Sequence, residues 1–200
     1  MADQLPKIYL ARHGQTAWSL SGQHTGRSDI PLTPEGEQNA RLLGKRLAKI
    51  SEPIGLVLTS PVQRARRTAE LAGFGDRAQV DPDLYEWDYG QYEGRKTADI
   101  RRERPDWQLF RDGVPGGETL AQVAARADRA IARVRATGGN AILFSSGHIL
   151  RVLGARWCGF DPSAGAHLLL GTASLSVLSY EHNLQEPALE LWNDQSHLEY

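Results

Sequence analysis

An α/β sandwich, with a largely parallel central sheet and helices on both faces, is the fold this sequence predicts. Three observations carry it. Short apolar runs are followed, three times, by a polar turn and then a helical pattern; Arg and His residues gather at those turns; and the composition suits one folded core. The 200 residues are 40% hydrophobic and 24% charged, enough chain to bury a core within one domain. Gly and Pro are scattered, with no repeat, low-complexity tract or linker, so residues 1–200 read as one unit with a tail from 194 onward.

The first run, Lys7 to Ala11, is a β-favouring stretch that stops at Arg12-His13-Gly14, where glycine permits a tight change of direction. Thr33-Pro34 then reads as a helix cap followed by Pro in the first helical position, and Ala40, Leu43, Leu47 and Ile50 recur on one face. Leu56 to Thr59 is a second strand, ended by Ser60-Pro61 and followed by the helical composition QRARRTAELA. A third helix begins near Glu118, with Leu120, Val123, Ala127, Ile131 and Val134 as its apolar stripe. Ala141 to Phe144 is the next strand; it runs into Ser145-Ser146-Gly147-His148 and an apolar helix. Further strands are expected near Leu175 to Tyr180 and Leu189 to Trp192. Repeated strand, turn and helix predict a sheet covered on both sides, with a ligand crevice beyond the strands' carboxyl ends.

Charge and cysteine content narrow the function. A formal net charge of −1 gives no field that would recruit nucleic acid or an anionic membrane, so any anion binding must be local. The N-terminal stretch lacks the long apolar region of a signal peptide, and nothing later approaches a membrane span, so the cytoplasm is the expected compartment. Cys158 is the only cysteine. It rules out an internal disulfide and reads as a packing residue beside Trp157. No His-x-x-x-His or equivalent spacing supports a metal, and no cofactor is expected. The sequence leaves a homodimer open.

What unites the strand ends is their chemistry: Arg12 and His13 after the first, Arg64 after the second, His148 after the third. Such a cluster of cationic donors repels itself, yet it suits a doubly charged phosphoryl group, and helices starting beside it add partial positive charge. Cys158 is set among apolar residues and no Ser sits in a Gly-x-Ser-x-Gly elbow, so a neutral His13 is the expected nucleophile. Neighbouring arginines disfavour protonation of its ring. A leaving alkoxide needs a proton. Glu86, in the aromatic segment Leu84 to Gly90, is the candidate donor, because a carboxylic acid among apolar groups keeps its proton more readily. Asp88 and Glu93 are rivals on composition alone.

The segments ARHGQTAW, TSPVQRARRTA, EWDYGQYEG and SSGH, in that order and spacing, resemble the histidine phosphatase superfamily, also called phosphoglycerate-mutase-like, over about residues 7 to 180. One Arg-His-Gly match would carry little; four ordered motifs on the expected strand ends are specific. The resemblance implies a sandwich around a mixed six-stranded sheet, with a phosphate pocket of Arg12, His13, Arg64 and His148. It also implies phosphorylation of His13 and makes Glu86 the proton donor. Ser19 stands where family members often have Asn, so a phosphate contact there would be weaker or rearranged. Gln23-His24-Thr25-Gly26 resembles the loop that touches the rest of the substrate, which makes Thr25 and Gly26 candidate substrate contacts. His148-Ile149 and the single Cys look like the intracellular branch rather than secreted acid phosphatases. The short path from Glu93-Gly94 to Gly116-Gly117 lacks the insertion of the cofactor-dependent mutases. SGQHTG, EWDYGQYEG, WQLFRDG and GGET look most like bacterial broad-specificity acid phosphatases and fungal sugar-bisphosphatases.

The expected function is therefore hydrolysis of small phosphorylated metabolites, such as sugar phosphates, through a phosphohistidine on His13. A 2,3-bisphosphoglycerate-dependent phosphoglycerate mutase is the first alternative, and a non-catalytic phospho-ligand binding module the second. His24, His167, His182 and His197 are expected at the surface or in packing rather than as ligands. Trp87, Tyr89, Tyr92 and Trp107 fit either the substrate entrance or the core, while Arg66, Arg67, Arg101, Arg102 and Arg104 read as solvated helix faces.

Overall fold

Residues 5–198 are described by a computed structural model. Within them lie β1 (Ile8–Arg12), β2 (Ile54–Thr59), β3 (Gln79–Val80), β4 (Asn140–Ser145), β5 (Leu175–Tyr180) and β6 (Pro187–Asp194). The helices are α1 (Ala17–Ser21), α2 (Pro34–Leu47), α3 (Gln63–Leu71), α4 (Thr97–Glu103), α5 (Leu109–Asp112), α6 (Leu120–Ala136) and α7 (Gly147–Trp157). One sheet runs in the order β3-β2-β4-β1-β5-β6. β1, β2, β3 and β4 are mutually parallel, whereas β5 is antiparallel to β1 and β6 to β5.

Alternation along the strands explains the layers. Ile8, Leu10, Leu56, Leu58, Ala141 and Leu143 face a core that also holds Val123, Ala127 and Ile131 of α6 and Ile149, Val152 and Leu153 of α7. The intervening Tyr9, Ala11, Val57, Ile142 and Phe144 face a second core with Leu43 and Leu47 of α2 and Ala69 of α3. Each strand residue thus serves the opposite face from its neighbour, as a pleated sheet requires. Trp87, Tyr92 and Trp107 lie in the first core, and Cys158 packs against it. Among the described residues, no helix is long and apolar enough to cross a membrane.

The helix starts follow local chemistry. Thr33 accepts the Gly36 N–H at 3.0 Å, with Pro34 in the first turn of α2. Thr119 and Gln122 close a reciprocal capping box on α6. β3 is an edge strand of two exposed residues that the sequence pattern does not predict. The tail expected from Asp194 is corrected for residues 194–198. Asp194 ends β6 and pairs with Arg46 at 3.3 Å, Gln195 donates to the Thr172 carbonyl, and the His197 ring meets the Ala173 carbonyl at 2.9 Å. The last two residues of that expected tail lie outside the described residues.

Two glycines bring the turn after β1 against the start of α2. A Cβ at Gly14 would lie 2.3 Å from the Gly36 carbonyl oxygen, and one at Gly36 would lie 2.1 Å from that of Gln15. Neither backbone can yield without moving the turn that carries His13. Gly36→Ala is therefore expected to destabilise the fold by about 1–3 kcal/mol or more, in the manner of an overpacked core, and to lower turnover. Gly139→Ala, where nothing lies within 4 Å, should change neither. Thermal melts and initial rates of the two variants check this; equal behaviour would contradict it.

Candidate active site

The carboxyl ends of β1 and β4, neighbours at the centre of the sheet, set the floor of the site. His13 follows β1; its N–H donates to the Ser145 carbonyl at 2.9 Å and its carbonyl accepts from Ala173 at 3.0 Å. His148 sits in the first turn of α7, directly after β4. A cavity of about 100 Å³ opens there, lined by Arg12, His13, Ser19, Thr25, Glu86 and His148 of the expected residues. Tyr89, His24, Gln23 and Arg151 line it as well.

The His13 ring is buried, and its Nδ1 lies 2.7 Å from the Gly14 carbonyl. A carbonyl only accepts, so the proton resides on Nδ1 and Nε2 keeps its lone pair. Burial holds the imidazole well below its ordinary pKa, and the Arg64 and Arg12 charges push the same way against that hydrogen bond. His148 is likewise held well below its ordinary value, by burial first and then by Arg151. Its Nδ1 lies 2.5 Å from the Tyr89 hydroxyl. Burial first, and Glu86 next, keep that phenol well above its ordinary pKa, so it retains a proton to donate. Nδ1 of His148 is then the acceptor, which leaves its proton on Nε2 as a donor.

Two guanidinium groups show an unmet demand for an acceptor. Arg12 donates Nη1 to the Leu170 carbonyl, and Arg64 donates Nη1 to Ser28 and Nη2 to Thr25 and Gly26 carbonyls. The Nε of each is buried without a partner among the described residues. A buried unpaired donor costs about 1–3 kcal/mol, and a phosphoryl oxygen would satisfy it. Arg64 is fully buried and held entirely by main-chain oxygens; it stands behind the cavity wall rather than among the lining residues.

Glu86 is buried at 4% exposure, but its oxygens do not face apolar groups as its sequence neighbours suggest. Oε1 accepts from the Trp87 and Ile149 N–H groups at 2.9 and 2.8 Å, and Oε2 from His148 N–H at 2.9 Å. The carboxyl thus sits on the N-terminus of α7, and Oε2, with one bond, keeps the greater capacity for a further partner. Asp88 and Glu93, its rivals in composition, are taken elsewhere. Asp88 accepts from Gly90 N–H, and Glu93 accepts from Gly26 and Ser28 N–H groups.

Of the three expected substrate contacts, Thr25 and Ser19 line the cavity and Gly26 does not. Ser19 is bound into the capping box of α1, its Oγ accepting from Thr16 N–H at 2.8 Å and donating to the Thr16 carbonyl at 3.0 Å. Gly26 has its N–H on Glu93 and its carbonyl on Arg64, and a Cβ there would meet the Trp87 carbonyl at 2.5 Å. Its part is to hold Arg64. His24, expected at the surface or in packing, packs its ring 4.8 Å from that of Tyr89 and also lines the cavity. In the sequence, His24 is set apart from His167, His182 and His197 only by lying in the Gln23–Gly26 segment that resembles a substrate loop, and Tyr89 is legible there only as an aromatic three residues after Glu86.

Because both rings resist protonation in the fold while the unfolded chain titrates near pH 6.5, the unfolded state binds more protons just below that pH. Stability is thus unaffected above about pH 6.5 and falls as pH drops from there toward the folded values, by up to about 1.4 kcal/mol per pH unit for each ring kept neutral. Melting temperatures between pH 7.5 and 5 should decline, and His148→Gln should flatten that decline. An unchanged slope in the variant would count against the neutral ring.

This is an α/β fold with guanidinium groups and buried imidazoles gathered at one small cavity beyond the carboxyl ends of its central strands. The comparison with known proteins agrees: the chain belongs to the histidine phosphatase superfamily (branch 1), whose sequence profile matches residues 8–195. It is 37% identical over 185 residues to an acid phosphatase of Mycobacterium tuberculosis, covering 92% of this chain and 91% of that protein. A sedoheptulose 1,7-bisphosphatase of Saccharomyces cerevisiae is 34% identical over 255 residues, with 96% and 94% covered. The solved structure of an open reading frame from Mycobacterium tuberculosis superposes with a TM-score of 0.89 at 36% identity, covering 94% of this chain and 97% of the other. The protein is a phosphatase of phosphorylated small molecules.

Proposed function

We propose that this phosphatase works as one domain, in the cytoplasm, by transferring the phosphoryl group of a small phosphorylated metabolite to Nε2 of His13 and then to water. The observation that carries the reading is the pair of buried Nε donors of Arg12 and Arg64, without partners among the described residues, beside an imidazole whose Nε2 is left to act as the lone-pair nitrogen. Nε2 attacks phosphorus as the bond to the leaving oxygen breaks; charge on the equatorial oxygens is met by Arg12 and the Nε2–H of His148 in the cavity wall, with the Arg64 charge acting from behind it. Glu86 gives its proton to the leaving oxygen. In the second half it takes a proton from water, which attacks the phosphohistidine, releases phosphate and restores His13. The lone Cys158 fits a reducing compartment. Thr25 and Ser19 at the cavity wall would meet the remainder of the substrate.

Glu86→Gln is expected to slow an alkyl phosphate such as glycerol 3-phosphate by roughly 10²- to 10⁴-fold, yet to slow p-nitrophenyl phosphate far less, since that leaving group needs little protonation. Equal losses on both esters would remove the proton-donor role. Phosphate release is expected to be insensitive to EDTA. A mutase would instead isomerise 3-phosphoglycerate without releasing phosphate, and a binding module would release none from a broad panel.

A further inference from the structure

Glu93 is a half-buried carboxylate that neither lines the cavity nor takes part in the phosphoryl chemistry above. Both of its oxygens are given to the main chain. Oε1 accepts from the Gly26 and Ser28 N–H groups at 2.9 and 3.0 Å, and Oε2 from Gly26 at 3.0 Å. The loop held in this way is the loop that holds Arg64, whose guanidinium donates to the Ser28, Thr25 and Gly26 carbonyls at 2.8, 3.1 and 2.9 Å. Gly26 and Ser28 each therefore give an N–H to the carboxylate and a carbonyl to the guanidinium. A Cβ at Gly26 would lie 2.7 Å from Glu93 Oε2, so only glycine lets the loop come this close.

The remaining main-chain ties of the loop lie at its ends. The His24 N–H donates to the Arg95 carbonyl at 2.9 Å and its carbonyl accepts from Gly94 at 2.8 Å, while Asp29 accepts from the Gln63 N–H at 2.7 Å. Between those ends, Glu93 is what the described residues provide for the loop's N–H groups. Arg64 is fully buried, and the oxygens it donates to are uncharged carbonyls. Its charge is thus not neutralised by them, and its direction is set by where they stand. We infer that Glu93 is a positioning residue: by gripping residues 25–28 it fixes where the Arg64 guanidinium stands relative to the transferred phosphoryl group. This deepens the proposed function and rests on it for the role of Arg64. It also separates the two carboxylates, Glu93 serving phosphoryl binding and Glu86 the leaving group.

The test follows inorganic phosphate binding by titration calorimetry at a temperature where each variant is folded. Glu93→Ala should weaken phosphate by about tenfold to a hundredfold, the size of a hydrogen bond to a charged group. Glu93→Gln keeps an oxygen for Gly26 and Ser28 and should recover most of that loss. Glu93→Asp, one methylene too short to span both N–H groups, should fall between them and gives the same reading if the alanine variant does not fold. In an Arg64→Gln background, or Arg64→Lys if the former does not fold, Glu93→Ala should cost less than about threefold, because residues acting as one unit are not additive. The kcat/KM values for p-nitrophenyl phosphate and glycerol 3-phosphate should fall by the same factor, unlike those of Glu86→Gln. Unchanged phosphate binding in the folded Glu93 variants, full additivity with the Arg64 substitution, or a loss falling mainly on the alkyl ester would overturn the inference. Because phosphate binding is read without turnover, failure of the unmodified protein to release phosphate bears on the proposed function alone, whereas failure to bind phosphate at all would overturn both.

Discussion

His13→Ala is expected to remove phosphate release from p-nitrophenyl phosphate and sugar phosphates alike, by roughly ten-thousand-fold or more. The expectation follows from the ring's surroundings rather than from its presence. The Gly14 carbonyl fixes the proton on Nδ1, and burial together with Arg64 and Arg12 keeps the imidazole neutral at the pH of the cell. The other basic groups described in the cavity wall are engaged differently: His148 directs its Nδ1 lone pair to Tyr89, His24 meets the Thr97 hydroxyl through Nε2 at 3.2 Å, and Glu86 accepts three main-chain N–H groups. A good leaving group should not rescue the variant, because the missing step is attack and not protonation. Steady-state rates on both esters check this, and a residual rate within a hundredfold of the unmodified protein would point to another nucleophile.

Arg126→Ala is expected to cost about 3–5 kcal/mol, the cost of breaking one partner out of a buried ion pair, and so to lower the melting temperature by roughly 6–20 °C. Arg126 forks onto Glu118 through Nε and Nη2 at 2.7 and 2.8 Å, while Nη1 donates to the Asp83 and Tyr85 carbonyls at 2.8 Å each. Glu118 in turn accepts from Asp88 N–H at 2.9 Å, and its carbonyl accepts from the Trp87 indole at 2.8 Å. Burial alone would raise the Glu118 carboxyl, but Arg126 and the Asp88 N–H outweigh it and hold the group below its usual range. The pair therefore grips the chain on both sides of Glu86. Its loss should slow alkyl phosphates beyond what reduced stability explains at a temperature where the variant is folded. Arg126→Lys keeps the charge without the fork and should fall between the two. A melt unchanged by either substitution would deny the clamp.

Contiguous stretches of sequence make much of this molecule legible. β1, β2 and β4 stand out because they are apolar on both faces, α2 because Thr33-Pro34 precedes a stripe of regular spacing, and α6 by its apolar stripe alone. Arg12 ends β1, His13 follows it and His148 comes three residues after β4, so their convergence needs only the parallel topology. β3 is not legible: Gln79 and Val80 carry no pattern, and their pairing with Leu58 and Thr59 is imposed by the sheet. α1 is five residues long with no buried face, set only by the Thr16–Ser19 capping box. Spacing places Ser19 near the pocket but cannot show that this box already occupies its hydroxyl. The surroundings of Gly26 and Glu86 are hidden for the same reason, because their partners arrive from segments 62 to 67 residues away.

Acid-stable and base-stable phosphoryl groups differ sharply, and a phosphohistidine is labile in acid but survives alkali. Rapid quenching into alkali after mixing the protein with a phosphorylated substrate, followed by peptide mass spectrometry, reads the covalent state directly. One phosphoryl group on the peptide containing His13, absent in His13→Ala and retained longer in Glu86→Gln, is the result predicted. Phosphate release at the normal rate with that peptide never modified would contradict transfer through His13.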